Sequence, residues 1–433
     1  MTEKRTAYIN AHLLDPDSGL DAGGALLTEG VLIADLGPGL FADGVPEAIE
    51  TVDCGGHCLC PGLVDMHVHL REPGHEHKET IATGGLSALA GGVTSLCSMP
   101  NTDPVIDNVG LIEFIQRRAR EAKGVKVFPF AAATKGLEGK QLTEFGMLAE
   151  AGAVAFTDDG LPIADSQVMR RALSYAKTFD LLISQHAEDL SLSGCGCMAE
   201  GEAATRLGLD GIPEIAETIM VERDIRLVEH SGGRYHVAHI STAEAVDCVR
   251  RAKARGLRVT CEAAPHHFSL TDLDVGDYRT FAKMAPPLRS ERNRVAIVEG
   301  LKDGTIDAIC SSHTPEDQES KRRPFAEAAY GSVGLETLLP VALELFHNGH
   351  MALLEVLEKL TAAPAGLLRI TGGTLAKGAP ADLALFDPGI AWRIDAEKLH
   401  SKSKNSAFDG RPVQGRAVRT VVGGDTVFEH GLS

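Results

Sequence analysis

The sequence is poor in aromatic residues, 5% of 433 with a single Trp, and poor in positive charge, with 42 Lys and Arg against 60 Asp and Glu for a formal net charge of −18. Surfaces that neutralise phosphates or anionic lipid need clustered Lys and Arg, so nucleic acid and membrane are not expected partners. No apolar run reaches the roughly 18 residues that span a bilayer. The opening stretch, MTEKRTAYIN, has no apolar segment of the length a secretion signal needs, and a cytoplasmic location is expected. Cysteines are present but odd in number, nine in all. Neither close set, Cys54, Cys58 and Cys60 or Cys195 and Cys197, has the two spaced CxxC pairs of a structural zinc site. Reduced and mostly buried thiols without a chemical role are expected.

What is present is a well-cored chain, 44% hydrophobic, of a length that suits a large barrel plus something smaller. There is no repeat of fixed period and no low-complexity tract. Eight short, apolar, β-prone runs occur at 62–66, 93–97, 125–130, 153–156, 181–184, 235–238, 257–261 and 306–310. Stretches with apolar residues at helical spacing, such as 109–121, lie between them. Eight alternations of strand and helix predict a parallel sheet closed as a (β/α)8 barrel over residues 61–370. Residues 1–60 and 371–433 carry Gly, Pro, Asp and short β-prone pieces such as 384–386 and 419–422. Because chain termini tend to lie close together, these two segments are expected to form one small β-sandwich domain built from both ends.

The sharpest chemical signal is Asp65-Met-His67-Val-His69-Leu-Arg71-Glu-Pro-Gly74, directly after the first expected strand. Alternate side chains of a strand share a face, so His67 and His69 point together toward the barrel mouth, which is half of a metal site. Asp158-Asp159-Gly160 follows the fourth strand, His186 the fifth and His239 the sixth. A lone histidine is ordinarily a hydrogen-bonded core residue. Four histidines and a carboxylate all at C-terminal strand ends, where such barrels gather their catalytic groups, point instead to a metal centre large enough for two ions.

These motifs, with Met99-Pro-Asn-Thr102, Gln185-His-Ala-Glu-Asp189, Ala238-His-Ile-Ser-Thr242, Cys261-Glu-Ala-Ala-Pro-His-His267, Gly331-Ser-Val-Gly-Leu-Glu-Thr337 and Ser401-Lys-Ser-Lys-Asn405, resemble the amidohydrolase superfamily. Within it they resemble the dihydroorotases often encoded beside aspartate transcarbamoylase in bacteria. The resemblance implies interconversion of dihydroorotate and N-carbamoyl-L-aspartate in pyrimidine biosynthesis. It implies two zinc ions, or one as the lesser case: His67 and His69 on one, His186 and His239 on the other, and Asp158 or Asp159 as the bridge, with spacing favouring Asp159. Hydantoinases and allantoinases commonly bridge with a carboxylated lysine, and strand four has none. Arg71 and Asn101 match the residues that hold the substrate carboxylate, Tyr330 and Gly331 a contact with the ring, and His69 lies in the same pocket. A homodimer or a complex with aspartate transcarbamoylase is the implied assembly.

Three positions depart from that pattern. Ser312 stands where the family has the aspartate that completes one zinc site and shuttles the proton, Ala285 where it has an asparagine, and Glu316 where it has a histidine. A hydroxyl is a poor proton acceptor near neutral pH, so impaired turnover is expected. The neighbouring His313 is expected to face the other way. Two alternatives follow: a non-catalytic relative that partners aspartate transcarbamoylase, and an amidase for another cyclic substrate.

Overall fold

The structure, a computed structural model, describes residues 4–431. Five strands come first, β1 (Arg5–Asp15), β2 (Leu20–Glu29), β3 (Leu32–Gly37), β4 (Glu50–Asp53) and β5 (Cys58–Pro61). The barrel then begins with β6 (Leu63–Val68), β7 (Val93–Ser98), β8 (Lys126–Ala132), β9 (Ala155–Thr157) and β10 (Leu182–Gln185). A two-stranded excursion, β11 (Met198–Ala199) with β12 (Gly211–Ile212), precedes β13 (Arg234–Val237), β14 (Val259–Ala263) and β15 (Ala308–Ile309). The chain ends in β16 (Leu383–Arg393), β17 (Pro412–Val422) and β18 (Asp425–Glu429).

All eight expected barrel strands form, paired in parallel in chain order from β6 to β15. The ring closes at its mouth, where the chain beyond β15 bridges β6 through Val68 and His313 and the His69 N–H donates to the His313 carbonyl at 2.9 Å. Helices cover the outside for reasons visible in the sequence. The helix Ser166–Thr178 starts where the Asp165 side chain accepts from the Gln167 and Val168 amides, and it buries Val168, Met169, Ala172, Leu173 and Ala176 on one face.

The floor of the barrel is apolar: Val64, Met66, Cys97, Phe130, Ala155, Leu182 and Ala308 meet in its interior and pack on Ala365 and Leu368 of the helix Ala362–Leu368. Inward-facing Val64 and Met66 would, by strict alternation, turn His67 and His69 outward. The strand avoids this by breaking its register with β7 between Asp65 and Val68. Such an irregularity re-aims side chains at a barrel rim. Leu63 and Val68 accordingly pack outward with the helices.

The two ends of the chain meet as expected. β18, β17, β16, β5, β1, β2 and β3 form one hydrogen-bonded path, with β4 added on β1. β3 turns back onto the segment before β16 through the Leu32–Pro380 bridge, so that Tyr8, Leu13, Leu26, Ile33, Leu59, Leu383 and Val421 enclose a separate core. All nine cysteines are free, and only Cys195 is exposed. No described helix is long and apolar enough to cross a membrane.

Leu368 is 4% exposed and plugs the barrel floor. Leu368→Ala should lower unfolding free energy by about 2–5 kcal/mol, the usual cost of a buried Leu cavity, measured by denaturant titration. A loss below about 0.5 kcal/mol, the scale of surface changes, would mean that this helix does not seal the barrel.

Candidate active site

The site is built around one carboxylate. Asp159, 3% exposed at the mouth of β9, has His67 Nε2 and His69 Nε2 each 3.3 Å from Oδ2 and His239 Nε2 3.4 Å from Oδ1. His186 joins through His239, with Nδ1 3.2 Å from its Nε2. Asp158 is turned away and fixed in the wall, where its carboxylate accepts from the Thr134 amide at 2.8 Å and from the Thr134 hydroxyl. The structure thus brings Asp159, not Asp158, among the histidines. His67, Asp159 and His239 form the tightest grouping, their ligand atoms all within 4.8 Å, so the two expected histidine pairs meet across the aspartate.

Burial alone would raise the Asp159 carboxyl, yet the charge on His67 and hydrogen bonds from the three histidines hold it well below its ordinary value. His67 and His69 respond oppositely to the same neighbour. Burial disfavours both imidazoliums, but Asp159 together with Glu262, whose Oε1 is 3.2 Å from His67 Nδ1, pushes His67 up to about 10. Burial brings His69 down to about 4, because its other nitrogen meets the neutral Asn101 Oδ1 at 2.8 Å and Arg71 adds a like charge. His186 Nε2 lies 2.9 Å from Glu188 Oε2, and that pairing, against the effect of burial, holds Glu188 down at about 2. His67, His69 and His186 each present one nitrogen inward while a carboxylate or amide fixes the other, the arrangement that orients metal-ligating imidazoles. The buried His239 Nδ1 has no partner.

This donor set suits a divalent cation. Three imidazoles on one buried carboxylate, with a fourth behind them, gather several inward nitrogens at one point and hold His67 protonated there, positive charge that a bound cation would supply instead. Non-glycine residues in left-handed conformations collect at the same rim: Arg71 (φ 61°), His239 (φ 37°) and Ser312 (φ 49°). Backbone strain of this kind clusters at functional sites.

The surrounding cavity, about 490 Å³, is lined by these residues together with Arg71, Asn101, Ala285, Ser312, Glu316, Tyr330 and Gly331. Ser312 lies on the cavity wall at 7% exposure, and its carbonyl accepts from the Thr314 hydroxyl at 3.0 Å. His313 faces away, accepting from the Gly334 amide at 3.1 Å with Nε2 3.5 Å from Glu79. Ala285 is exposed at the rim. The Tyr330 hydroxyl donates to the Gly196 carbonyl at 2.9 Å, and the Gly331 amide donates to Lys283 O at 2.9 Å. Gly331 has φ 114°, and a Cβ there would stand 2.4 Å from the Thr314 methyl, so the position requires glycine.

Arg71 is not the free fork that the sequence suggested. Its Nη2 donates to Glu316 Oε1 at 2.6 Å and its Nε to the Pro315 carbonyl at 3.1 Å, while Lys78 Nζ donates to Glu316 Oε2 at 2.6 Å. Glu316 is therefore a buried ionic partner rather than merely a lost histidine. The sequence reading missed Lys78, Glu188 and Glu262. Glu188 and Glu262 stand inside motifs already singled out, whereas nothing local marks Lys78.

A barrel with a histidine-and-aspartate cluster at its C-terminal mouth, and a β domain made from both chain ends, is the architecture of an amidohydrolase. The L-hydantoinase (dihydropyrimidinase) of Arthrobacter aurescens superposes with a TM-score of 0.87 at 26% identity, covering 99% of this chain and 96% of that one. A dihydropyrimidinase from Brevibacillus agri shares the fold, with a TM-score of 0.85 at 22% identity, over 98% of this chain and 95% of its own. A family model described as dihydro-orotase-like matches residues 56–245. The dihydroorotase of Anaplasma phagocytophilum is 52% identical over 98% of this chain and 96% of its own, and that of Pelobacter propionicus is 48% identical over 97% and 98%. The chain belongs to the dihydroorotase family of cyclic-amide hydrolases.

Metal content separates the two adjacent aspartates. Asp159→Asn should leave the purified protein without stoichiometric metal, whereas Asp158→Asn should retain it. Glu262→Gln, which loosens His67, should weaken metal binding about 10- to 100-fold. Retention of metal by Asp159→Asn together with its loss from Asp158→Asn would reverse the assignment.

Proposed function

We propose that this chain interconverts dihydroorotate and N-carbamoyl-L-aspartate, a step of pyrimidine synthesis in the cytoplasm, with a two-zinc centre held by His67, His69, Asp159, His186 and His239. The observation that carries the reading is the convergence of His67, His69 and His239 on Asp159, with His186 joined through His239, beside Arg71 and Asn101 in one cavity. The names of relatives near 50% identity across the whole chain support the substrate. Bound there, zinc supplies positive charge that polarises a carbonyl and activates water.

The protein's own groups do the rest. Glu262 and Asn101 fix the rings of His67 and His69, so the inward nitrogens stay aimed during turnover. Asp159, held ionised, bridges the two histidine pairs. Arg71 and Asn101 face the ring carboxylate, whose two oxygens suit a guanidinium and an amide N–H. The proton released by the attacking water must reach the departing ring nitrogen, and where the resemblance expects an aspartate for that transfer this chain has the Ser312 hydroxyl on the cavity wall. Glu316 cannot take over, because both of its oxygens are engaged by cations. Turnover is accordingly slow, at the chemical step.

Ser312→Asp tests this directly. Supplying the missing carboxylate should raise turnover of dihydroorotate by at least about 10²-fold, the scale of a general acid or base, and tighten the metal beside His67 and His69. A variant that binds two metals yet stays within about twofold of the parent rate, far short of that scale, would contradict the proposal and favour a structural partner of aspartate transcarbamoylase.

A further inference from the structure

The Arg71–Glu316–Lys78 cluster has a feature that the reaction chemistry does not use. Glu316 is 6% exposed and Arg71 9%, so the chain buries a carboxylate of its own against the arginine that is to receive a substrate carboxylate. An arginine neutralised in this way is a poor anion receptor, since an incoming carboxylate would meet Glu316 as a like charge. Lys78 changes the balance: two cations share one carboxylate, each at 2.6 Å, and one positive charge is left over for a ligand. The framework holds the carboxylate in place independently of any ligand, because the Glu316 amide donates to Asn405 Oδ1 at 3.1 Å and Arg71 is anchored a second time on the Pro315 carbonyl.

We propose that Lys78 and Glu316 are specificity-determining positioning residues: Glu316 orients the Arg71 guanidinium, and Lys78 restores the single positive charge that selects a monoanionic carboxylated ring over an uncharged one. This rests on the reading of a carboxylated cyclic-amide substrate given above. Glu316 pairs with Lys78 and with Arg71, and neither Glu316 nor Lys78 pairs with the histidines around Asp159, so their effect is assigned to binding and not to the chemical step. Lys78 lies outside the histidine cluster, and its side chain is 21% exposed, so it can be replaced without opening the core.

Calorimetric titration of the metal-loaded protein with orotate and with uracil, which differ by the carboxylate, tests the proposal without depending on turnover. The parent should prefer orotate. Lys78→Met should weaken orotate about tenfold, the effect of one charge a few ångströms away at intermediate dielectric, and move uracil less than about twofold. Glu316→Gln, which keeps an acceptor for Arg71 but removes the competing charge, should tighten orotate about threefold or more. Lys78→Arg should bind like the parent. Opposite shifts confined to orotate support the proposal, since loss of packing alone would weaken both ligands in both variants. A parent that prefers orotate, with both variants within about twofold of it, overturns the proposal and leaves the substrate reading standing. A parent that binds the two rings equally overturns the substrate reading and this proposal with it.

Discussion

Everything at the barrel mouth depends on a single buried charge. Asp159 sits at 3% exposure and, among the described residues, its ion-pair contacts are histidines alone, whereas an isolated carboxylate at that depth would take up a proton rather than remain ionised. It stays ionised because three imidazoles face its two oxygens. Those imidazoles can do so only because strands separated widely in sequence end at one level of the same ring. The closure between Val68 and His313, the register break in β6 and the apolar plug beneath Met66 all serve that convergence.

Much of this was legible in the chain itself. The eight strands follow from short apolar runs set between helical repeats, and each formed where the pattern placed it, because a parallel strand buried on both faces needs such a run. The β domain made from the two ends also followed from composition. His67 and His69 were readable as a pair, but the reason given, strict alternation, was incomplete. An unbroken strand that places Val64 and Met66 inside would have turned both histidines out, and the break after Asp65 leaves no mark in residue type.

The less legible part is electrostatic and long in range. Glu316 looked like the absence of a histidine, whereas it is the presence of a carboxylate held by Arg71 and by Lys78, 238 residues away. Glu262 holds His67 across 195 residues. Contacts of this separation depend on which loops the barrel brings to one rim, and neither periodicity nor spacing encodes them. The two substitutions on the loop after β15 also have different physical weights. Ser312 puts a neutral hydroxyl on the cavity wall where the resemblance expects a carboxylate, while Glu316 puts a carboxylate against the Arg71 guanidinium and the Lys78 ammonium.

The proposed centre would place Asp159 between two metal ions. Anomalous diffraction from crystals of the zinc-loaded protein measures this most directly. The account predicts two peaks about 3.5–4 Å apart on either side of the Asp159 carboxylate, one bound by His67 and His69 and the other by His186 and His239. Zinc at full occupancy elsewhere, with Asp159 contacted only by histidines, would contradict it.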